Sequence, residues 1–208
     1  MALVKYNNNS ISAVTSAAAI PSGAMTHIKT LTASSSSTLS FVHGSSDVVL
    51  DSTYPIYLFK FINCHPSANA DFVFNASADT GSNYNVTKTT TFFHAQHNEA
   101  GNYTNFAYQT GNDVAQGTGN QTLSRKIATG NDDATSGEMY LFNPSSTTFV
   151  KHFMSRLKAN QNISAQYNSD NFGAGYLNTT SAVDAIQFKF ASGNIDLGSI
   201  KLYGIKDS

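Results

Sequence analysis

Ile56-Tyr57-Leu58-Phe59-Lys60-Phe61-Ile62 is the stretch that decides the fold. Tyr57, Phe59 and Phe61 alternate with Leu58, Lys60 and Ile62, and successive side chains of a strand point to opposite faces. The run is apolar on one face and partly apolar on the other, which suits a strand buried on both sides. The same period of two recurs elsewhere. Ile186, Phe188 and Phe190 alternate with Gln187 and Lys189. Phe149, Lys151 and Phe153 alternate with Val150, His152 and Met154. Leu39, Phe41 and His43 alternate with Ser40 and Val42. Fourteen Phe and ten Tyr residues, with abundant Thr, add strand propensity.

Working outward, the turn signals Pro21-Ser22-Gly23, Ala78–Ser82, Asn143–Ser146 and Ser192-Gly193-Asn194 divide the chain. They predict nine or ten strands near Met25–Thr32, Thr38–His43, Ile56–Ile62, Asp71–Ala76, Lys88–His97, Gly137–Phe142, Thr148–Leu157, Ile163–Asn178, Val183–Phe190 and Gly198–Ile205. The one helix candidate, Phe153–Asn160, is short and competes with a strand. Many short strands without helices between them imply an all-β, antiparallel two-sheet sandwich of jelly-roll type. One sandwich domain is expected over 23–208. Residues 1–22, small and polar, read as an N-terminal arm. Residues 98–136, rich in Gly, Asn, Asp and Thr, read as a long exposed loop or hairpin, with a strand near Gln121–Ala128 between two similar turns.

Of the 208 residues, 40% are hydrophobic, enough for a core, but only 12% are charged, about half the usual share. The net charge is −1. No basic cluster suits nucleic acid; Arg125-Lys126 is the nearest approach. No apolar run is long enough for a membrane helix, so no membrane insertion is expected. The N-terminus lacks the pattern of a signal peptide, so the seven Asn-x-Ser/Thr triplets are not read as glycosylation sites. Cys64 is the single cysteine and reads as a buried small hydrophobe.

Chemical sites are sparse. His94, His97 and Glu99 are the only cluster of metal-ligand types, but positions three apart on a strand face opposite ways. Thr-Gly-Asn-Asp occurs at 110–113 and 129–132 without the alternating acids of a calcium loop, so turn chemistry explains it better. Glu99 and Glu138 are the only glutamates, and no spacing pairs them as glycosidase acids. There is no Gly-x-Ser-x-Gly elbow and no phosphate loop. The reading is therefore a non-enzymatic protein with no catalytic residue, cofactor or metal. Tyr54, Tyr84, Tyr103 and Tyr108 fall in loops or at strand edges. Tyr84, Tyr103 and Tyr108 are the candidate surface contacts, for sugar stacking or for a subunit interface.

Several segments carry a resemblance: Asn8–Thr15 with Ile20–Gly23, Asn63–Ala70, Phe93–Ala100, Leu141–Phe153 and, most specifically, Ala185–Ile205 with its Ser192-Gly193-Asn194-Ile195 and Leu202-Tyr203-Gly204-Ile205. The layout resembles small virion structural proteins of tailed phages, especially those infecting marine cyanobacteria, over nearly the whole chain. The resemblance implies a β-sandwich on tail, fibre or head surface, in the virion, acting through contacts with other virion proteins; the low charge and the abundance of amide and hydroxyl side chains add the expectation of a homo-oligomer. A carbohydrate- or receptor-binding module, engaging a host surface glycan, is the alternative. No catalytic residues are carried over.

Overall fold

The structure is a computed structural model that describes residues 24–162 and 166–206. The expected arm at 1–22 lies outside the described residues, as do 163–165 at the start of one expected strand. The strands are β1 (Met25–Thr32), β2 (Leu39–Val42), β3 (Ile56–Pro66), β4 (Ala70–Ser77), β5 (Lys88–Asn98), β6 (Thr104–Tyr108), β7 (Gln121–Ile127), β8 (Thr135–Phe142), β9 (Lys151–Asn162), β10 (Gln166–Leu177), β11 (Ala185–Phe190) and β12 (Ile195–Ile205). No helix forms among the described residues; the stretch Phe153–Asn160 lies within β9.

Two sheets result, with every strand pair antiparallel. The larger runs β1-β12-β3-β8-β9-β10-β5-β6 and the smaller β2-β11-β4-β7. The pairings nest. β1 joins β12, β2 joins β11, β3 joins β8 and β4 joins β7. Two further pairs, β5–β6 and β9–β10, extend the large sheet beyond β8.

Between the sheets, alternation does what the sequence promises. Tyr57, Phe59 and Phe61 of β3, Met139 and Leu141 of β8, and Ile200 and Leu202 of β12 face inward. They meet Phe41, Phe72, Phe74, Ile186 and Phe188 of the small sheet in one apolar cluster. Aromatic pairs there are mostly edge-to-face, the arrangement the ring quadrupole favours. Cys64 belongs to this core, and burial pushes its thiol up to about 12.

Two expectations change. Tyr54 is a core residue, lying over Gly204 and against Tyr57, not a surface aromatic. The stretch 98–136 is not exposed throughout: the strand expected near Gln121–Ala128 forms as β7 and is largely buried, and a further strand, β6, precedes it. Its Thr-Gly-Asn-Asp repeats do form turns, closed by Asn112 N–H to Gln109 O at 3.0 Å and Asp133 N–H to Gly130 O at 2.9 Å.

At the other end the interior is polar. Asn171 donates to Ser124 Oγ and Leu157 O, Gln96 to Gln161, and Thr90 to Gln121. Lys88 is fully buried; its ammonium donates to Asn75 Oδ1 at 2.8 Å and Gly119 O at 2.7 Å. Asn75→Ala removes one acceptor of a buried cation and is expected to cost about 2–3 kcal/mol.

Burial lowers Lys88 to about 8, against an ordinary value of 10.5. Between those values the unfolded chain keeps a proton the folded chain has released, so this group's contribution to stability rises with pH. Denaturation of wild type and Lys88→Met at several pH values should show wild type gaining on the variant from pH 8 to 10.5. A constant difference across that window would refute the assignment.

Candidate functional site

The outer face of the large sheet carries one row of side chains in register across all eight strands. From β1 to β6 it reads Thr30, Lys201, Lys60, Glu138, Arg156, Phe172, Phe93, Tyr108. Paired residues of neighbouring strands project to the same face, so the register alone assembles the row.

The row changes character halfway. Lys60 Nζ lies 3.8 Å from Glu138 Oε2. Arg156 grips Asp170, which lies one step along β10 on the same face, with Nη2–Oδ2 at 2.6 Å. The Arg156 guanidinium also covers one face of Phe172, 5.1 Å from its centroid. Phe172 stacks on Phe93 at 4.8 Å with an interplanar angle of 6°. Phe106, beside Phe93 on β6, meets it edge-on at 5.6 Å. Lys60, Glu138, Arg156, Lys158 and Asp170 line a shallow groove of about 410 Å³. The outer end of the aromatic half is open, with Phe106 74% exposed and Tyr108 51%, while Phe93 and Phe172 are half-buried.

The three candidate tyrosines do not converge. Tyr108 sits on this face, its hydroxyl donating to Asp113 Oδ2 at 2.6 Å. Tyr103 precedes β6, edge-on to Tyr167 at 5.5 Å, where alternation turns it to the opposite face. Tyr84 lies in the β4–β5 connection, beside Gly81. The sequence reading missed Phe93, Phe106, Phe172 and Arg156. The available signal was alternation, with Phe172 two residues after Asp170 and Phe106 two before Tyr108.

His94 and His97 diverge as their spacing requires: His97 is exposed and His94 is buried beneath the row. Arg125 Nη1 lies 3.2 Å from His94 Nδ1. Arginine can only donate, so Nδ1 accepts, and the amide nitrogens of Asn105 and Gln109, donors as well, lie 3.2 Å from Nε2, a surround of donors that disfavours a second ring proton. Burial first, then the charges of Arg125 and Lys126, lower the pKa of His94 below its ordinary 6.5. A group held neutral in the fold stabilises it above its unfolded pKa, and that stability is lost as pH falls through the lower folded value. Acid denaturation of wild type should therefore be steeper than that of His94→Gln below pH 6.5. Equal slopes would contradict this picture.

Among the described residues, no three His, Cys, Asp or Glu side chains are placed to hold a metal. That includes the groove of about 720 Å³ beside His65, Asp132, Asp133 and Asp196. No family model, no curated protein and no solved structure matches the chain.

Proposed function

We propose that the protein is a non-enzymatic structural component of a tailed-phage virion, exposed on tail, fibre or head, that works through assembly contacts made by the outer face of its large sheet. The observation that carries the reading is the aromatic half-row of Phe172, Phe93, Phe106 and Tyr108, open at its outer end. The virion setting is supported by the resemblance of the closing Ala185–Ile205 segment.

We read the sandwich as a jelly roll. The nested pairs β1/β12, β2/β11, β3/β8 and β4/β7 support it, because they are what a long antiparallel hairpin yields when it wraps into two sheets. The orders β1-β12-β3-β8 and β2-β11-β4-β7 then form the two four-stranded halves, with β5–β6 and β9–β10 as insertions widening one of them.

The geometry favours a protein partner over a host glycan. A sugar stacks on a ring face. Here Phe93 and Phe172 turn faces to each other and Arg156 lies over the Phe172 ring, so this stacked pair offers a sugar little free ring face. Ring edges and methylenes suit shape-matched packing at an interface.

The test is an electron-microscopic map of particles from the phage that encodes the chain, with their protein content determined by mass spectrometry. The expected result is density for the chain on head, tail or fibre, with the outer face of the large sheet against a neighbour. Particles lacking the chain would overturn the virion reading. A fitted position with that face open to solvent would overturn the contact reading.

A further inference from the structure

We propose that two copies of the chain join along β6, antiparallel and edge to edge, so that their large sheets run on as one sheet about a two-fold axis passing between the two Phe106 residues. The proposal stands on the edge itself and does not depend on a place in a virion.

Backbone direction comes first. Asn98 N–H donates to Tyr103 O and Gln109 N–H to Phe92 O, which fixes the phase of the β5–β6 ladder. In an antiparallel pair, hydrogen-bonded and non-hydrogen-bonded pairs alternate. Asn105 and Ala107 therefore bond to β5, while the N–H and C=O groups of Thr104, Phe106 and Tyr108 point away from the sheet. Among the described residues those groups have no partner. A row of free strand-edge donors and acceptors is a template for another strand.

The other three edges are blocked. β1 carries Lys29 beside a register break at His27/Lys29. β7 carries Arg125 and Lys126 just before its end, with Lys126 at φ 52° and register breaks against β4. β2 has four residues and runs into a turn where Gly44, Ser46 and Asp47 all have positive φ. β6, Thr104-Asn105-Phe106-Ala107-Tyr108, has no charge, no proline and no bulge.

The strand also fits itself. Centred on Phe106, an antiparallel copy sets Thr104 opposite Tyr108 of the second copy, and Phe106 opposite Phe106, with the outward groups of all three in bonding phase. In register, Asp170, Ala95 and Phe106 then meet Phe106, Ala95 and Asp170 of the second copy, while the ring contacts of Phe172 with Phe93 and of Phe93 with Phe106 reach the axis diagonally from both sides. The Lys60–Glu138 and Arg156–Asp170 pairs fall to the two outer sides. An apolar centre with a charged periphery is the anatomy of a protein interface, and a self-complementary patch is what a two-fold demands.

The test uses the full chain. Sedimentation equilibrium at micromolar concentration is expected to give a dimer. Phe106→Cys is expected to form an intermolecular disulfide under mild oxidation, since paired Cα atoms there stand about 5.5 Å apart. Met154→Cys, 52% exposed on the same face, is not, and the native Cys64 is buried. Phe106→Pro removes an N–H that β5 does not use, so the sheet keeps its circular-dichroism spectrum while the dimer dissociates at least tenfold more readily. Phe106→Lys should do the same and guards against a folding defect in the proline variant.

A wild-type monomer at high concentration would overturn the proposal. So would a dimer unmoved by both substitutions, or equal cross-linking at positions 106 and 154. Slow amide exchange at Phe106 in a monomer would also overturn it, by showing that the edge is already paired.

Discussion

Phe188→Ala is expected to be the most damaging single truncation in the core, costing about 3–5 kcal/mol. Phe188 sits mid-strand on β11, fully buried, where five other phenylalanines surround it. Its centroid lies 5.0 Å from Phe61 and 5.1 Å from Phe59 on the large sheet. On its own sheet it lies 6.2 Å from Phe41, 6.3 Å from Phe72 and 6.4 Å from Phe74. Removing the ring leaves a cavity at the point where the sheets hold each other. Neighbouring rings in edge-to-face contact cannot all move in to fill it. Domains of this kind have about 5–15 kcal/mol in total, so the variant would keep a fraction of its stability. Denaturant and thermal melts should show it, with a fall in midpoint of roughly 10 °C. The contrast is Phe106→Ala, an exposed ring, expected to change stability by about 0.5 kcal/mol or less in the absence of association. Similar losses for the two would mean that the core is not organised around Phe188.

The difference between those two rings also explains how much of the fold can be read in advance. Where the interior is apolar, alternation names the inward residues: Tyr57, Phe59 and Phe61 on β3, and Ile186, Phe188 and Phe190 on β11, are all buried as their spacing implies. At the far end the logic inverts. β10 turns Ser169 and Asn171 inward and Phe172 outward, and β5 buries Lys88, Thr90 and His94. A period of two marks a strand there but cannot say which face is inside, because the hydrogen-bonded amides and the buried lysine occupy places that normally hold apolar groups. β6 is hidden for a related reason: five residues between the turn-forming Gly101-Asn102 and Gly111-Asn112 are too few to show a period. The row from Thr30 to Tyr108 is a property of register across strands distant in sequence, and no local pattern encodes register. The start of β9 shows the smaller error. Thr148–Leu157 reads as the strand, but it begins at Lys151, and Phe149 remains outside it, 69% exposed.

The closing segment, the most distinctive part of the chain, has a steric explanation that a second large effect can check. Gly198→Ala is expected to destabilise by about 3 kcal/mol, because two independent penalties add at that position. Gly198 has φ +115°, a conformation in which an L side chain is strained. A β-carbon there would also lie 2.5 Å from Asn63 O and 2.7 Å from Cys64 Cα, backbone atoms that cannot step aside. The site is a junction of irregularities. β12 breaks register on both sides of Leu197, β3 breaks register between Phe61 and Cys64, and Ala33 N–H donates to Gly198 O at 2.9 Å. Relief in one strand would therefore disturb β1, β3 and β12 together. Gly204, six residues on, is constrained differently: a β-carbon would fall 2.3 Å from the Tyr54 ring, which lies directly on the strand. Gly111→Ala supplies the control, since a β-carbon there meets nothing within 4 Å. That change should be neutral or stabilise by up to about 1 kcal/mol through the unfolded chain. If Gly198→Ala melts like wild type, the close approach of β12 to β3 at Asn63–Cys64 is wrong, and the two bulges must relax in concert at little cost. If it melts far below wild type while Gly111→Ala does not, the spacing of glycines in the closing segment is set by sheet geometry, and it would recur in any chain that closes its large sheet in this way, whatever surface that sheet presents.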